Sequence, residues 1–265
     1  RIDDGAVSPA IVDTLAIGDV VELGAPTGRF VIPQRNEFPV VMIAGGIGIT
    51  PFISYLRSLP GEGEGAPPRI LLLYYCRERE NVAFLDELDE YSMHNPHVEL
   101  RLFLRNPSGR CGRHPIGQGR YASDHVDQAL IDARARFYIC ASEGMIEGVT
   151  QDLKTRGVPA FEIFSERFVS PMDVAADVSN LSPREVTFAR SGRKLTWKPQ
   201  EGSLLQMAEA SGISLPSGCR VGQCESCATR VLQGSVMHLS KVDLAEDNIC
   251  LTCIGVPVSD LVLDA

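Results

Sequence analysis

The 265-residue sequence lacks an apolar run long enough to cross a bilayer. Its longest mostly apolar stretch, residues 40–53, is interrupted by three glycines and Pro51, and it is shorter than the about 20 residues that a membrane helix needs. We expect no secretory leader either. We therefore expect no membrane association and a cytoplasmic location.

The sequence also lacks an excess of basic charge. It carries 25 Lys and Arg against 34 Asp and Glu, a formal net charge of −9. Because such a chain repels phosphate backbones, nucleic acid is a poor candidate partner. No Ser/His/Asp arrangement and no paired carboxylates indicate hydrolysis. The apolar share of 44% is ordinary for a globular protein, and the length suggests two domains or three small ones.

Residues 39–168 alternate between strand-like and helix-like segments. The strand-like runs are Val40–Ala44, Ile70–Cys76, Val98–Leu104, Phe137–Cys140 and Phe161–Phe164. The helix-like stretches are Pro51–Leu59, Val82–Met93, Tyr121–Ala133 and Met145–Arg156. Near-continuous apolar strands separated by helices predict a parallel sheet covered on both faces, which right-handed crossovers make an α/β doubly wound unit.

The remaining sequence divides into three parts. Residues 1–38 are predicted to end a β-rich unit, with a strand at Val20–Leu23. Residues 169–183, bracketed by prolines and without periodicity, are predicted to be an interdomain linker. Residues 184–265 form a last compact unit, with a hairpin around Ser191-Gly192, a helix over Leu204–Ala210 and a final strand over Leu261–Leu263.

Five of the eight cysteines lie within 35 residues near the end of the chain: Cys219, Cys224, Cys227, Cys250 and Cys253. The first three have the C-x4-C-x2-C spacing typical of plant-type [2Fe–2S] clusters, and Gly218 and Gly222 allow close approach of the backbone. The last four have instead the C-x2-C…C-x2-C spacing of a zinc ribbon. A [2Fe–2S] cluster would leave either Cys250 or Cys253 without a metal, whereas a zinc site would leave Cys219 without one. The five histidines are too scattered for a Rieske centre.

A glycine-rich loop joins the first strand to the first helix of the alternating region. Gly45, Gly46 and Gly48 precede Thr50, which suits a helix N-cap, and Pro51, which suits the first helical turn. Such a loop predicts a pyrophosphate site, because N–H groups and the helix dipole point to the same place. The alternative is a tight turn without a ligand. The three-glycine Rossmann fingerprint is absent.

Two segments around the cysteines resemble plant-type ferredoxins: residues 215–227, with the three early cysteines, and residues 251–260, around Cys253. The resemblance implies an α+β β-grasp ferredoxin domain. It also implies that Cys219, Cys224, Cys227 and Cys253 hold the metal, with Cys250 as a bystander.

Other segments resemble the ferredoxin–NADP reductase superfamily. The loop Gly45–Pro51 is similar to its dinucleotide loop, Phe137–Cys140 followed by Met145 to a later strand, and Phe164–Phe168 to its last segment. The resemblance implies that Gly45, Gly46, Gly48, Thr50 and Pro51 bind the dinucleotide. It assigns catalytic roles to Cys140 and Glu166.

One departure from the superfamily lies next to Cys140. The Gly-Pro that usually follows this cysteine is replaced by Ala141-Ser142. This change favours one alternative, an electron-carrier module whose reductase domain does not turn over.

The charged segment after the second strand bears on the choice of dinucleotide. Arg77 or Arg79 would hold a 2′-phosphate and favour NADPH, whereas Glu78 and Glu80 would repel it and favour NADH. We expect NADH, with NADPH as the alternative and Arg77 as a cofactor-binding residue.

The beginning of the chain resembles the end of the superfamily's flavin-binding β-barrel. Its Gly-x-x-Ser turn, Gly5–Ser8, implies that Val7 and Ser8 contact a flavin phosphate, of FMN or FAD. The Arg-x-Tyr-Ser strand that holds the flavin ring in that family is not in this sequence. We therefore expect the chain, which starts with Arg1, to be a fragment that binds flavin poorly alone.

The order of the predicted parts resembles the reductases that serve Rieske-type oxygenases. These parts are a flavin-barrel remnant (1–38), a dinucleotide domain (39–168), a linker (169–183) and a ferredoxin domain (184–265). The resemblance implies electron transfer from NAD(P)H through flavin to a [2Fe–2S] cluster and then to a protein acceptor such as an oxygenase. The other alternative is a zinc-ribbon-like binding protein.

Overall fold

The computed structural model describes residues 9–23, 28, 30–59, 68–107, 116–168, 178–240, 242, 244 and 246–265. Val7, Ser8 and most of the predicted linker lie outside these residues. None of the described helices is long and apolar enough to cross a membrane.

The first large unit is a six-stranded parallel sheet with the strand order β4-β3-β2-β1-β5-β6. Its strands are β1 (Val40–Gly45), β2 (Ile70–Cys76), β3 (Val98–Leu104), β4 (Ile116–Gln118), β5 (Arg136–Cys140) and β6 (Ile163–Glu166). Val40 at the start of β1 pairs with Ile70 on one side and Arg136 on the other. The chain builds outward from β1 to β4 and then crosses to β5, so the strand order reverses between β1 and β5.

Helices cover both faces of this sheet. They are α1 (Thr50–Ser58), α2 (Leu85–His94), α3 (Gln128–Asp132) and α4 (Glu143–Thr155). Met42 of β1 belongs to a core cluster with Phe52 of α1, whereas the next residue, Ile43, belongs to the cluster of Val149 in α4. Because alternate residues of β1 are buried against different helices, the doubly wound prediction is confirmed.

Three local predictions are wrong. The helix expected over Tyr121–Ala133 is a short 3-10 turn at Ser123–His125 followed by α3, because Val126 and Asp127 adopt extended backbone. The strand expected from residue 161 begins at Ile163, after a 3-10 turn. Val20–Leu23 forms no strand; these residues are exposed, and a strand needs a neighbour for its backbone hydrogen bonds.

The second unit is a mixed five-stranded sheet with the order β11-β9-β13-β7-β8, beside a two-stranded ribbon of β10 and β12. Its strands are β7 (Arg184–Phe188), β8 (Arg193–Trp197), β9 (Ala228–Gln233), β10 (Val236–His238), β11 (Ile249–Leu251), β12 (Gly255–Pro257) and β13 (Leu261–Leu263). The last of these strands, β13, pairs in parallel with β7. A helix, α5 (Leu204–Ala210), packs against Trp197 and Phe188, which completes the predicted β-grasp architecture.

Hydrogen bonds fix the first turn of helix α5 and, through it, the segment that follows β11. The Ser203 hydroxyl accepts a hydrogen bond from the Gln206 N–H at 3.3 Å, and the Gln206 side-chain oxygen accepts from the Ser203 N–H at 2.7 Å. The backbone N–H of Leu205, in the same turn, donates to the carbonyl of Thr252 at 2.9 Å. The residue before Cys253 is thereby held against the helix.

Candidate cofactor sites

The cysteine loop between α5 and β9 directs backbone N–H groups at its own sulfur atoms. The N–H of Cys219 lies 3.2 Å from Cys224 Sγ, and the N–H groups of Gln223 and Cys224 each lie 3.3 Å from Cys219 Sγ. Burial raises the pKa of Cys224, but hydrogen bonds from Ser226 and Cys219 outweigh it and lower the pKa. These donors favour negatively charged thiolates, the form that binds iron.

A second pair of sulfur atoms lies where β9 meets the turn after β11. The Sγ atoms of Cys227 and Cys253 are 3.2 Å apart. The hydrogen bond with Cys253 lowers the pKa of Cys227, and the same contact, together with burial, raises the pKa of Cys253. The buried hydroxyls of Thr229 and Thr252 both donate to the carbonyl of Cys227 at 3.2 Å, which fixes the backbone at this cysteine.

Cys219 and Cys224 contact each other through backbone N–H groups and sulfur atoms, and Cys227 and Cys253 through their sulfur atoms. Two pairs of cysteines match the chemistry of a [2Fe–2S] cluster, where each iron takes two thiolates. Among the residues that the structure describes, no group of three or more His, Cys, Asp or Glu side chains is arranged around a single metal ion. Cys250 is fully buried on β11, and burial raises its pKa to about 12. A Cβ on Gly255 of β12 would lie 2.6 Å from Cys250 Sγ, so this sulfur atom packs inside the domain core.

The shape of the cysteine loop depends on left-handed backbone at Arg220, Gly222 and Glu225, with φ of 61°, 78° and 55°. Gly222 combines this conformation with close packing, since a Cβ there would lie 2.3 Å from the Cδ1 atom of Ile254. The Arg220 guanidinium is held by Glu209 of α5 in two hydrogen bonds of 2.6 and 2.9 Å. The loop is therefore tied to its own domain by both backbone and side chain.

A cleft of about 530 Å³ opens at the carboxyl edge of the parallel sheet, where the strand order reverses. Gly45 and Gly46, after β1, face Ser142, Gly144 and the first turns of α4 across it. The backbone of the glycine loop and the N-terminus of the 13-residue helix α4 thus border the same cleft. Backbone N–H groups and a helix N-terminus are the features that bind a pyrophosphate.

Of the other predicted dinucleotide residues, Arg77 lines this cleft, whereas Gly48, Thr50 and Pro51 are not among its lining residues. A Cβ on Gly48 would lie 1.9 Å from the carbonyl oxygen of Cys140, so Gly48 permits the loop to pack on β5. Thr50, predicted as the N-cap, is itself the first residue of α1, and its hydroxyl donates to Ile47 O at 3.1 Å.

Sequence reasoning missed part of the cleft wall. Gly144 and Gly148 are four residues apart on α4 and present bare helix backbone to the cleft, and a Cβ at either position would meet nothing within 4 Å. The four-residue spacing of these glycines places both on one face of a helix, and this spacing was the signal in the sequence that could have identified them. Arg105 follows β3 and also lines the cleft, but nothing in its local sequence distinguishes it from a surface arginine.

Cys140 and Glu166 lie opposite each other on β5 and β6. Cys140 is fully buried, and burial, with the charge of Glu166, raises the pKa of its thiol to about 12. Burial also raises the pKa of Glu166. Cys140 is therefore a neutral thiol at physiological pH, and its predicted catalytic role stays a prediction.

A second cleft, of about 450 Å³, lies between the end of β6 and the cysteine loop. Phe30, Glu166 and Phe168 line one side, and Cys219 and Cys224 line the other. The Phe30 ring meets Tyr138 edge-on with ring centroids 5.8 Å apart. Tyr138 in turn stacks on Phe164 at 4.7 Å, so the wall of this cleft is aromatic and firmly packed.

Comparison with known proteins supports both sites. Residues 186–258 match the 2Fe-2S iron-sulfur cluster binding domain, and residues 42–151 match the oxidoreductase NAD-binding domain. The phthalate 4,5-dioxygenase oxygenase reductase subunit of Pseudomonas putida is 31% identical over 266 residues, covering 98% of this chain and 74% of that protein. An NADPH oxidoreductase of Mycobacterium tuberculosis is 28% identical over 263 residues, covering 98% of this chain.

A solved structure shares the fold of nearly the whole chain. It is a phthalate dioxygenase reductase, described as modular for electron transfer from pyridine nucleotides to [2Fe–2S], with 24% identity and a TM-score of 0.58. The match covers 96% of this chain and 73% of that one. The chain spans 64% of the length of the mycobacterial relative.

These findings define an electron-transfer oxidoreductase that joins an NAD-binding domain to a 2Fe-2S domain. The predictions of fold class, of a [2Fe–2S] cluster and of a nicotinamide dinucleotide are confirmed. The chain belongs to the same family as the Pseudomonas putida phthalate 4,5-dioxygenase oxygenase reductase subunit.

Proposed function

We propose that this chain carries electrons from NADH, by way of a flavin, to a [2Fe–2S] cluster and then to an oxygenase. The observation that carries the proposal is the cleft shared by the end of β6 and the cysteine loop, next to the dinucleotide cleft along the sheet edge. When bound, the flavin converts a two-electron donor into single electrons, which the cluster passes on one at a time.

Cys219 and Cys224 would hold one iron, and Cys227 and Cys253 the other. The N–H groups of Gln223 and Cys224 stabilise negative charge on Cys219 and so favour the iron-binding thiolate. Cys250 is fully buried, with its Sγ atom packed at Gly255 of β12, which supports its assignment as a bystander.

Gly45 and Gly46 would hold the pyrophosphate of the dinucleotide opposite the first turn of α4. Glu78 and Glu80 lie in a neighbouring cavity and disfavour a 2′-phosphate, which supports NADH. NADPH is the second candidate, because Arg77, Arg105 and Arg120 all line the cleft.

The aromatic wall of the second cleft is suited to the flat ring of FMN or FAD, and Val7 and Ser8 are proposed for its phosphate. Glu166, a carboxyl group with a raised pKa on this wall, is placed to hold a proton near the ring. Cys140, a buried neutral thiol, would pack in the core beneath the same end of the sheet.

An oxygenase is the proposed acceptor because the Pseudomonas putida relative is, by name, the reductase subunit of one. A second candidate function, electron carriage without turnover of the dinucleotide, is favoured by Ala141 and Ser142, which follow Cys140 in place of the superfamily's usual Gly-Pro. A Cβ on Gly45 would lie 2.8 Å from the Cβ of Ala141. Ala141 thus packs directly behind the proposed pyrophosphate loop.

Anaerobic mixing of the full-length, flavin-loaded protein with NADH distinguishes these functions. The proposal predicts bleaching of the cluster absorption within a catalytic turnover, and the added oxygenase should restore it. A cluster that chemical reductants reduce but NADH does not would instead favour the carrier function.

A further inference from the structure

We infer that Gln223 is a positioning residue whose side-chain amide fixes the cysteine loop to the end of β6, and thereby holds the cluster at the cleft from which its electrons arrive. The inference rests on the proposed function for its electron-transfer part. The contact itself is a property of the chain and is measured separately below.

Gln223 makes two contacts in opposite directions. Its backbone N–H lies 3.3 Å from Cys219 Sγ, so the residue is part of the cradle of a proposed ligand. Its side-chain oxygen accepts a hydrogen bond from the backbone N–H of Arg167, also at 3.3 Å. Arg167 immediately follows β6 of the parallel sheet. One residue thus connects the sulfur cradle to the other domain.

The partner of Gln223 is itself held in place. The Arg167 guanidinium forms an ion pair with Glu143, the first residue of α4. Glu143 lies between Ser142 and Gly144, which both line the dinucleotide cleft. A continuous set of contacts therefore leads from the dinucleotide cleft through Arg167 and Gln223 to Cys219.

Arg220, the charged residue that precedes Gln223 in the loop, does not connect the two domains. Arg220 is bonded to Glu209 within the ferredoxin domain. The amide of Gln223 is neutral, so its contact with Arg167 is little affected by salt, unlike an ion pair. A hydrogen bond of this kind contributes a factor of about five to a docking equilibrium.

The test compares Gln223→Leu with Gln223→Glu and with Gln233→Leu. The glutamate variant keeps an acceptor oxygen of the same reach. Gln233, an exposed residue at the end of β9 in the same domain, is the matched control. Iron content and the visible spectrum establish that each variant retains the cluster.

The first measurement is hydrogen–deuterium exchange, read by mass spectrometry in peptides that span residues 164–168. Gln223→Leu should accelerate exchange of the Arg167 amide about fivefold, whereas Gln223→Glu and Gln233→Leu should leave it as in the unaltered protein. Unchanged exchange in Gln223→Leu would overturn the contact.

The second measurement is the rate of cluster reduction after NADH is mixed with full-length, flavin-loaded protein. Gln223→Leu should slow this step about fivefold while flavin reduction keeps its rate, and Gln223→Glu should restore it. Faster amide exchange without slower cluster reduction would overturn the positioning role. If NADH fails to reduce the cluster of the unaltered protein, the proposed function fails, and the exchange result still decides whether Gln223 docks the loop.

Discussion

At the scale of single residues, five similar thiols are separated by their surroundings. The Sγ atom of Cys253 lies 3.2 Å from that of Cys227, whereas the Sγ atom of Cys250 faces the domain core, where a Cβ on Gly255 would lie 2.6 Å from it. Spacing alone leaves the choice between Cys250 and Cys253 open, because it carries no information on burial. The resemblance to ferredoxins selects Cys253, and the packing of Cys250 on β11 gives the physical reason.

The first prediction compares Cys224→Ser with Cys250→Ala. Loss of Cys224 removes a proposed iron ligand, so the cluster absorption should disappear. Loss of Cys250 removes only a buried sulfur atom, so the spectrum should persist at a cost of about 1 kcal/mol in the free energy of unfolding. Visible absorption and iron analysis of the purified variants provide the measurement. Bleaching in Cys250→Ala would show that the ligand assignment is wrong.

The second prediction concerns the choice of dinucleotide. Arg77→Ala should raise KM for NADPH about tenfold, because a charged hydrogen bond to the 2′-phosphate contributes about 1.5 kcal/mol or more. KM for NADH should change little, and kcat should change for neither. Steady-state kinetics with both dinucleotides measure this, with Arg79→Ala as a control beyond the cleft. Equal losses for NADH and NADPH would contradict the assignment.

At the scale of elements, long apolar strands were predictable and short ones were not. Ile70–Cys76 and Val98–Leu104 have the predicted bounds, because seven buried or mostly apolar residues form a strong signal. The strand Ile116–Gln118 was missed because three residues carry no period. The glycine loop was found from its composition, but the separate roles of its glycines depend on which atoms a Cβ at each position would meet.

The third prediction compares substitutions at two glycines, one that is tightly packed and one that faces open space. Gly48→Ala should destabilise the protein by about 1–3 kcal/mol, since the new Cβ collides with backbone of β5. Gly144→Ala adds a methyl group to open space on α4 and should stabilise the helix by up to about 1 kcal/mol. Urea unfolding of both variants measures the difference. Similar stabilities would contradict the close approach of Gly48 to Cys140.

At the scale of the whole molecule, two units with separate cores are joined at a cleft that carries the proposed electron path. The order of the units was predictable, because each has its own local motifs. The cleft was not, since it is formed by Gly28 and Phe30, by residues 164–168 and by the cysteine loop, which are distant in sequence and have no common local pattern. The predicted domain boundaries at 38, 168 and 183 stay predictions.

The central claim is that the sulfur atoms of Cys219, Cys224, Cys227 and Cys253 hold two irons. Its most direct test is the quantification of iron, acid-labile sulfide and zinc per chain in anaerobically prepared protein. The claim predicts about two irons and two sulfides with no stoichiometric zinc. Protein without iron, or with one zinc per chain in its place, would contradict it.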